Sequence, residues 1–177
     1  MIVAEREGFE PSVPLLARRF SRPVPSTTRS PLHAHVILTE ICHNMNMNDS
    51  IFTKIIKGEI PSYKIYEDDI VLAFLDIHPV QPGHILVVPK QQVDKLEDVE
   101  ETIYLHLMTT VKKLMLHIRE KLQSPRVTMK VEGFDVPHAH IHLIPCQTAS
   151  DFWNKVRMDE PIDHDALTKM HSRLTLI

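Results

Sequence analysis

Apolar positions along the chain follow a regular pattern only from about residue 49 onwards. In residues 100–122 an apolar residue recurs every three or four positions, which predicts a long amphipathic helix with one buried stripe. The stripe consists of Ile103, Leu107, Val111, Leu114, Ile118 and Leu122. Two shorter helices are predicted over residues 51–57 and 163–174, with Asp49 or Ser50 capping the first and Asp163 the second.

Five short segments carry the apolar and β-branched residues that are typical of strands. They cover residues 63–67, 71–76, 84–89, 126–132 and 139–145. The third segment is apolar almost throughout, which indicates a strand that is buried on both faces. Five strands, with one long helix between the third and the fourth, predict an α+β domain.

The first 48 residues differ from the rest of the chain and show no such periodicity. They hold five arginines and no lysine, whereas the remainder holds eleven lysines and four arginines. We expect a domain over residues 49–177 with a C-terminal helical tail, and an N-terminal extension over 1–48 that is disordered or a spurious translation. Residues 1–44 should then be dispensable, with a native start at Met45 or Met47. A transit peptide is an alternative, although prolines would break its amphipathic helix.

Composition and charge narrow the function mainly by exclusion. The chain is 43% hydrophobic and 24% charged, with a net charge of −3, which is typical of a globular domain and gives no basic surface for nucleic acid. No apolar run approaches the roughly 18 residues of a membrane helix. Cys42 and Cys146 form no disulfide framework. We therefore expect a cytoplasmic protein that binds neither nucleic acid nor membranes.

The most informative segment carries histidines at every second position, namely His138, His140 and His142. Alternate side chains of a strand share one face, about 6.6–7 Å apart, so the three imidazoles should line one face. A single histidine is usually structural, but three with this period indicate chemistry. Two kinds of chemistry remain open at this point. The histidines could supply zinc ligands, or one neutral imidazole could attack while its neighbours fix tautomers and bind an anion.

The domain resembles the histidine-triad (HIT) superfamily, whose signature is His-x-His-x-His followed by apolar residues. The likeness covers about residues 50–145 and includes, in the family's order, the segments at 50–56, 59–61, 67–69, 73–77 and 82–90. These segments match the purine-nucleotide-binding branch of the family. The resemblance implies a HIT-like fold with a five-stranded antiparallel sheet, one long helix and short terminal helices. It also implies a homodimer in which two sheets join into one of ten strands.

The resemblance further implies a role for each matched residue. His140 would form a covalent nucleotidyl intermediate, while His138, His142 and His84 would orient it and contact the phosphate and leaving group. Asp76 would bind the ribose, because a carboxylate can accept hydrogen bonds from both hydroxyls, although an Asp before a proline-rich loop can simply form a turn. The purine pocket, part of which will be ordinary core, would comprise Ile51, Phe52, Ile55, Ile60, Phe74 and Ile77.

The chain departs from the family at the positions of a bound metal. Zinc-binding members carry Cys-x-x-Cys at the opening and a histidine after the third strand, and here Ser50, Thr53 and Gln92 stand at these positions. Only His138 remains of that ligand set, so we expect no metal and no other cofactor. The loop 132–137 also lacks the small polar residues that often contact phosphate, and it carries Asp135 instead.

The function that this resemblance implies is hydrolysis of purine nucleoside phosphoramidates or related nucleotidyl substrates through a nucleotidyl-histidine intermediate. An alternative enzyme activity is hydrolysis of dinucleoside polyphosphates. A nucleotide-binding or scaffold protein with vestigial turnover is the alternative from a different functional class.

Overall fold

The computed structural model describes residues 49–154 and 160–176, so the predictions for residues 1–48 lie outside the described part. The helices are α1 (Ile51–Ile56), α2 (Glu101–Leu122) and α3 (His164–Leu174). The strands are β1 (Lys64–Glu67), β2 (Val71–Leu75), β3 (Ile85–Pro89), β4 (Arg126–Val131) and β5 (Ile141–Cys146). No helix among these residues is long and apolar enough to cross a membrane.

The helices begin where their capping residues indicate. The Ser50 hydroxyl accepts a hydrogen bond from the backbone N–H of Thr53, and Asp163 accepts one from Ala166. These bonds satisfy donors that the first turn of a helix otherwise leaves free. The cap at Ser50 matters for the site, because it holds the hydroxyl inside the protein rather than in solvent.

All five strands form one antiparallel sheet in the order β1-β2-β3-β5-β4. This confirms the α+β class and the five-stranded antiparallel sheet. The order places β3 and β5 side by side, and their register pairs Leu86 with His142. Segments that are distant in the sequence, around Pro-Gly-His and the histidine triad, therefore meet in the middle of the sheet.

Each face of the sheet buries a separate apolar cluster. On one face α2 packs its stripe, including Leu107, Val111, Leu114 and Ile118, against the strands. On the other face α1 packs on β2 and β3, and the buried residues are Phe52, Ile55, Leu72, Phe74, Leu86 and Val88. Ile141 and Leu143 belong to the α2 side. Because side chains alternate along a strand, His142 lies on the side of α1.

The strand that carries the histidines begins later than the sequence predicts. β5 starts at Ile141 rather than at residue 139, so His138 and His140 precede the ladder. Pro89, at the end of β3, has no N–H to donate. Its carbonyl oxygen accepts a hydrogen bond from the ring of His138 instead of from a backbone N–H. The backbone here is held by Ala139, whose N–H donates to the Val93 carbonyl at 2.6 Å.

The C-terminal helix packs on the same core as the sheet. Leu167 and Leu174 of α3 are buried in the α2 cluster. The His117 ring Nε2 donates to the Leu174 carbonyl at 3.0 Å, and the Leu176 N–H donates to Ile65 of β1 at 2.8 Å. The predicted helical tail is therefore part of the folded core.

Candidate active site

The ring of His138 is fully buried, and both of its nitrogens are engaged. Nε2 lies 2.8 Å from the Pro89 carbonyl oxygen, and Nδ1 lies 2.9 Å from the Ser50 hydroxyl. A carbonyl can only accept, so Nε2 carries the proton and Nδ1 accepts from Ser50. Burial lowers the pKa of His138, so the ring is neutral near pH 7. The expectation that His138 contacts the phosphate has no support in this geometry, because no nitrogen is left for a ligand.

His140 has the opposite arrangement, with one nitrogen held and the other free. Nδ1 lies 2.7 Å from the carbonyl oxygen of His138, so it must carry the ring proton. Nε2 takes part in no hydrogen bond among the residues that the structure describes. The edge of Phe52 packs against both His138 and His140, with ring centroids 5.8 Å and 5.1 Å away. His140 therefore presents an unshared electron pair on Nε2 from a ring of fixed tautomer and restricted orientation.

His142 and His84 form a hydrogen-bonded pair beside His140. Nε2 of His84 lies 3.0 Å from Nδ1 of His142, and the rings of His142 and His140 are 4.9 Å apart. The Val80 N–H, which can only donate, points at Nδ1 of His84 from 3.3 Å. We therefore assign the proton of His84 to Nε2, which donates to His142, so that Nε2 of His142 carries that ring's proton.

The Nε2 atom of His142 is buried and has no hydrogen-bond partner among the described residues. The nearest carboxylate oxygen is Oε1 of Glu132, at 3.9 Å. Glu132 itself pairs with Lys130 at 2.5 Å, and this ion pair lowers the Glu132 pKa. Buried polar groups normally have hydrogen-bond partners, so this nitrogen has a hydrogen bond available for a bound ligand.

Asp76 lies next to Nδ1 of His84. Its Oδ1 accepts from the His78 N–H at 2.9 Å, and its Oδ2 lies 3.3 Å from Nδ1 of His84. The Val80 N–H already donates to Nδ1 of His84, so this nitrogen needs no hydrogen bond to Oδ2 of Asp76. Burial raises the pKa of the Asp76 carboxyl. This favours the uncharged carboxyl and weakens the repulsion between Oδ2 and the unprotonated Nδ1 of His84. The turn interpretation and a ligand-binding role are compatible here, since each uses a different oxygen.

Burial also determines the protonation of the histidine pair. It lowers the pKa of His84 to about 3, and it lowers that of His142 to about 4 with a further contribution from the neighbouring His140. Both rings are therefore neutral near pH 7 in the free protein. A bound phosphate would bring negative charge next to His142 and raise its pKa again.

These shifts predict a loss of stability between about pH 6.5 and pH 4. The unfolded chain binds protons on both histidines near pH 6.5, whereas the folded chain does so only near pH 3–4. Protons therefore favour unfolding as the pH falls through this window. At pH 5 we expect each ring to lower the free energy of unfolding by about 1–2 kcal/mol relative to pH 7.5. Urea denaturation at the two pH values measures it.

Replacing His142 by Asn should remove its share of this pH dependence and leave those of His84 and of His138, whose pKa burial also lowers. Asp68, whose pKa is held low by His106 and Tyr66 against its desolvation, titrates below the window and does not contribute. Equal unfolding free energies at pH 7.5 and pH 5 would contradict the buried neutral pair.

The proposed purine-pocket residues fall into two groups. Phe52, Ile55 and Phe74 are buried in the α1 cluster, with Ile60 packed against it, as ordinary core residues are. Ile51 and Ile77 expose 49% and 45% of their surface. A cavity of about 120 Å³ touches Asp76 and His84 from the α3 side, but it is too small for a nucleotide.

Three residues could together hold a metal ion. Ligand atoms of Asp76, His84 and His142 lie within 4.8 Å of one another. The two imidazoles, however, face each other through a hydrogen bond that uses one ring proton. A metal ion would have to displace that proton, so the hydrogen-bonded chain accounts for the cluster. The absence of a metal stays a prediction.

Sequence analysis missed several groups that position the histidines. The carbonyl of Pro89 and the N–H of Val80 are backbone groups, and the residue type does not indicate what a backbone group will bind. Ser50 was considered as a helix cap and as a lost zinc ligand but not as a partner of His138, and Glu132 was not considered at all. Asp135, the acid expected near the phosphate, is exposed, and Glu132 is the loop carboxylate beside His142.

The chain is similar to known proteins in sequence. The HIT domain family model matches residues 57–149. The adenosine 5'-monophosphoramidase of Candida albicans is 35% identical over 136 residues, which cover 70% of this chain and 88% of that protein.

Two solved structures have the same fold. A HIT-like protein involved in cell-cycle regulation from Bartonella henselae aligns with a TM-score of 0.62 and 30% identity, covering 72% of this chain and 95% of its own. A zinc-bound histidine triad family protein from Mycobacterium smegmatis aligns with a TM-score of 0.58 and 25% identity, covering 70% and 91%.

Proposed function

The chain belongs to the HIT domain family, and from this premise we propose that it hydrolyses purine nucleoside phosphoramidates or related nucleotidyl substrates through a nucleotidyl-histidine intermediate. Nucleotide hydrolysis in general is supported by relatives such as the yeast adenosine 5'-monophosphoramidase. The observation that carries the finer proposal is the free Nε2 of His140, whose ring proton is held on Nδ1 by the His138 carbonyl. In the neutral ring this nitrogen carries an unshared electron pair and can act as a nucleophile.

In the first step, Nε2 of His140 attacks the α-phosphorus of the nucleotide. A P–N bond forms to His140 while the bond from phosphorus to the leaving amine breaks. The amine retains the electron pair of that bond and takes a proton. Water then attacks the same phosphorus, the P–N bond to His140 breaks, and the nucleoside monophosphate leaves.

His142 is placed to supply the proton in the first step and to accept one from water in the second. Its Nε2 lacks a partner, and its Nδ1 is held by His84. In the free protein its pKa is about 4, so the protonated form that can act as an acid is scarcely populated near pH 7 until the substrate arrives. The charge of the phosphate raises that pKa and couples protonation to binding.

The nucleoside would be recognised by separate groups. Asp76 keeps acceptor capacity beyond its bond to His78, which suits the ribose hydroxyls. Ile51 and Ile77 offer exposed apolar surface for the base, over a floor that includes Phe52 and Phe74. These contacts lie on elements other than the histidine segment, so base binding and catalysis should be separable by mutation.

A substrate panel tests this proposal. Purified protein should release amine from an adenosine phosphoramidate much faster than it cleaves a dinucleoside polyphosphate, and rapid acid quenching with mass spectrometry should detect a nucleotidyl adduct. Faster cleavage of the polyphosphate would favour the alternative hydrolase. Nucleotide binding without turnover of either substrate would favour a binding or scaffold protein.

We also propose that the protein is a homodimer joined through β4, which lies at the edge of the sheet. Val127 packs on the α2 cluster, and strand alternation places Met129 and Val131 on the same face. These two side chains are 44% and 47% exposed, so part of the apolar face of the sheet is uncovered at β4. An unpaired edge with apolar side chains is a surface for a further strand. Pairing with the β4 of a second copy would make ten strands.

Light scattering after size exclusion should therefore give twice the mass of one chain. A Met129→Lys, Val131→Lys double variant should shift the protein to a monomer. Phe134→Lys is the matched control, because Phe134 is fully exposed but lies outside β4. A monomeric parent protein would refute the dimer without affecting the proposed chemistry.

A further inference from the structure

Four polar side chains from three distant segments meet beside the histidine triad. They are Ser50, Thr53, Gln92 and His138, and they occupy the positions at which zinc-binding relatives carry their ligands. The Ser50 hydroxyl lies 2.9 Å from Nδ1 of His138, and the Ser50 N–H donates to Oε1 of Gln92 at 3.0 Å. The Thr53 hydroxyl donates to the same Gln92 oxygen. Ser50, Thr53 and His138 are all buried.

This donor set does not suit zinc. Structural zinc sites use thiolates and imidazoles, with an occasional carboxylate, whereas two hydroxyls, an amide and one imidazole stand here. The hydroxyl proton of Ser50 goes to His138 and that of Thr53 goes to Gln92, so these polar atoms satisfy one another. The cluster is internally complete without an ion.

We propose that this hydrogen-bonded network takes the place of a structural zinc and positions the nucleophile through His138. The network fixes the His138 ring from the Nδ1 side, and Pro89 fixes it from the Nε2 side. The carbonyl of that same residue holds the ring proton of His140. Ser50 and Gln92 are thus positioning residues, two and three hydrogen bonds away from the ring that carries the reacting nitrogen.

The position of His138 makes such support necessary. His138 and His140 precede β5 and have no ladder hydrogen bonds to hold them. Without the Ser50 hydroxyl, Nδ1 of His138 would depend on the Thr53 hydroxyl, which is 3.4 Å away and already donates to Gln92. The ring would be held less firmly, and the Ala139 N–H bond to Val93 would be the main remaining restraint on the peptide that carries the His138 carbonyl. The effect on catalysis rests on the proposed function, but the effect on His138 does not.

The first test removes the hydroxyl of Ser50. In Ser50→Ala we expect kcat for the phosphoramidate to fall about tenfold, the effect of one lost hydrogen bond, with KM unchanged. Nitrogen-15 NMR should show a changed Nδ1 resonance for His138, because Nδ1 loses this donor while the Pro89 carbonyl keeps the proton on Nε2. Ser50→Thr, which keeps a hydroxyl and can still cap α1, should restore both.

The matched control is Ser62→Ala, because the Ser62 hydroxyl is buried without a hydrogen-bond partner among the described residues. It should leave kcat and the His138 spectrum unchanged. If Ser50→Ala folds and the Nδ1 resonance of His138 stays unchanged, the network does not position this ring and the proposal fails, whatever the activity.

The second test rebuilds a metal site in the same place. The triple variant Ser50→Cys, Thr53→Cys, Gln92→His should bind one zinc ion per chain in metal analysis, with His138 as fourth ligand, while the parent protein binds less than stoichiometric zinc. A parent protein that purifies with one tightly held zinc would overturn the inference. So would a triple variant that gains no zinc, folded or not, because the four side chains would then not be grouped as described. Neither readout depends on turnover.

Discussion

Replacing His140 by Ala or Asn is expected to reduce turnover by several orders of magnitude while leaving nucleotide binding largely intact. The change removes the free Nε2 that would form the bond to phosphorus, and no other triad nitrogen is placed to replace it. His138 has both nitrogens engaged, and in His142 Nδ1 accepts from His84 while Nε2 carries the ring proton. Loss of an essential covalent step affects kcat rather than binding. Steady-state kinetics and calorimetric titration with a nucleoside monophosphate measure the two effects.

His142→Ala provides the comparison for this prediction. It removes the proton donor but keeps the nucleophile, so the reaction should slow less, by about 10²–10⁴-fold. A substrate with a leaving group that needs no proton should recover part of that loss. A His140→Ala protein that turns over near the parent rate, together with a parent protein that forms no nucleotidyl adduct, would falsify the covalent mechanism even though the fold is right.

Gly83→Ala is expected to lower the free energy of unfolding by about 2–5 kcal/mol. Gly83 has a φ of 88°, in the left-handed region, where an L side chain costs about 1–2 kcal/mol. A Cβ at this position would also lie 2.5 Å from Cδ1 of Leu122 and 3.3 Å from Cγ of Pro145. Overpacking of this kind costs about 1–3 kcal/mol more. Urea denaturation monitored by circular dichroism gives the value.

Gly58→Ala separates the two contributions. Gly58 has a similar φ of 78°, but a Cβ there meets nothing within 4 Å. Only the backbone cost should appear, about 1–2 kcal/mol. Equal losses in the two variants would show that crowding at Gly83 is relieved by movement of Leu122. Because His84 follows Gly83 directly, Gly83→Ala should also lower activity in the fraction that stays folded.

The sequence by itself determined the elements of the fold. The apolar stripe of α2, the cap at Asp163 and a cap at Asp49 or Ser50 are local patterns, and local patterns follow from backbone periodicity and nearby hydrogen bonds. The structure places the first cap at Ser50. The five strands and the α+β class were predicted from the same kind of evidence and are confirmed. Family membership, which rested on segments across residues 50–145, is confirmed as well. The extension over 1–48 and the cytoplasmic location stay predictions.

Only the tertiary structure decided which atoms of the site face each other. Ser50 and His138 are 88 positions apart, and His84 and His142 are 58 apart. Hydrogen bonds over such distances depend on strand register and on where a strand stops, which residue types do not encode locally. The tautomers of all four histidines follow from these contacts and from two backbone carbonyls and an N–H. The sequence therefore located His138, His140 and His142 on one segment. Packing decided that His138 is held at both nitrogens, that His140 keeps Nε2 free and that His142 pairs with His84, because the position of a ring proton depends on the hydrogen-bond partner.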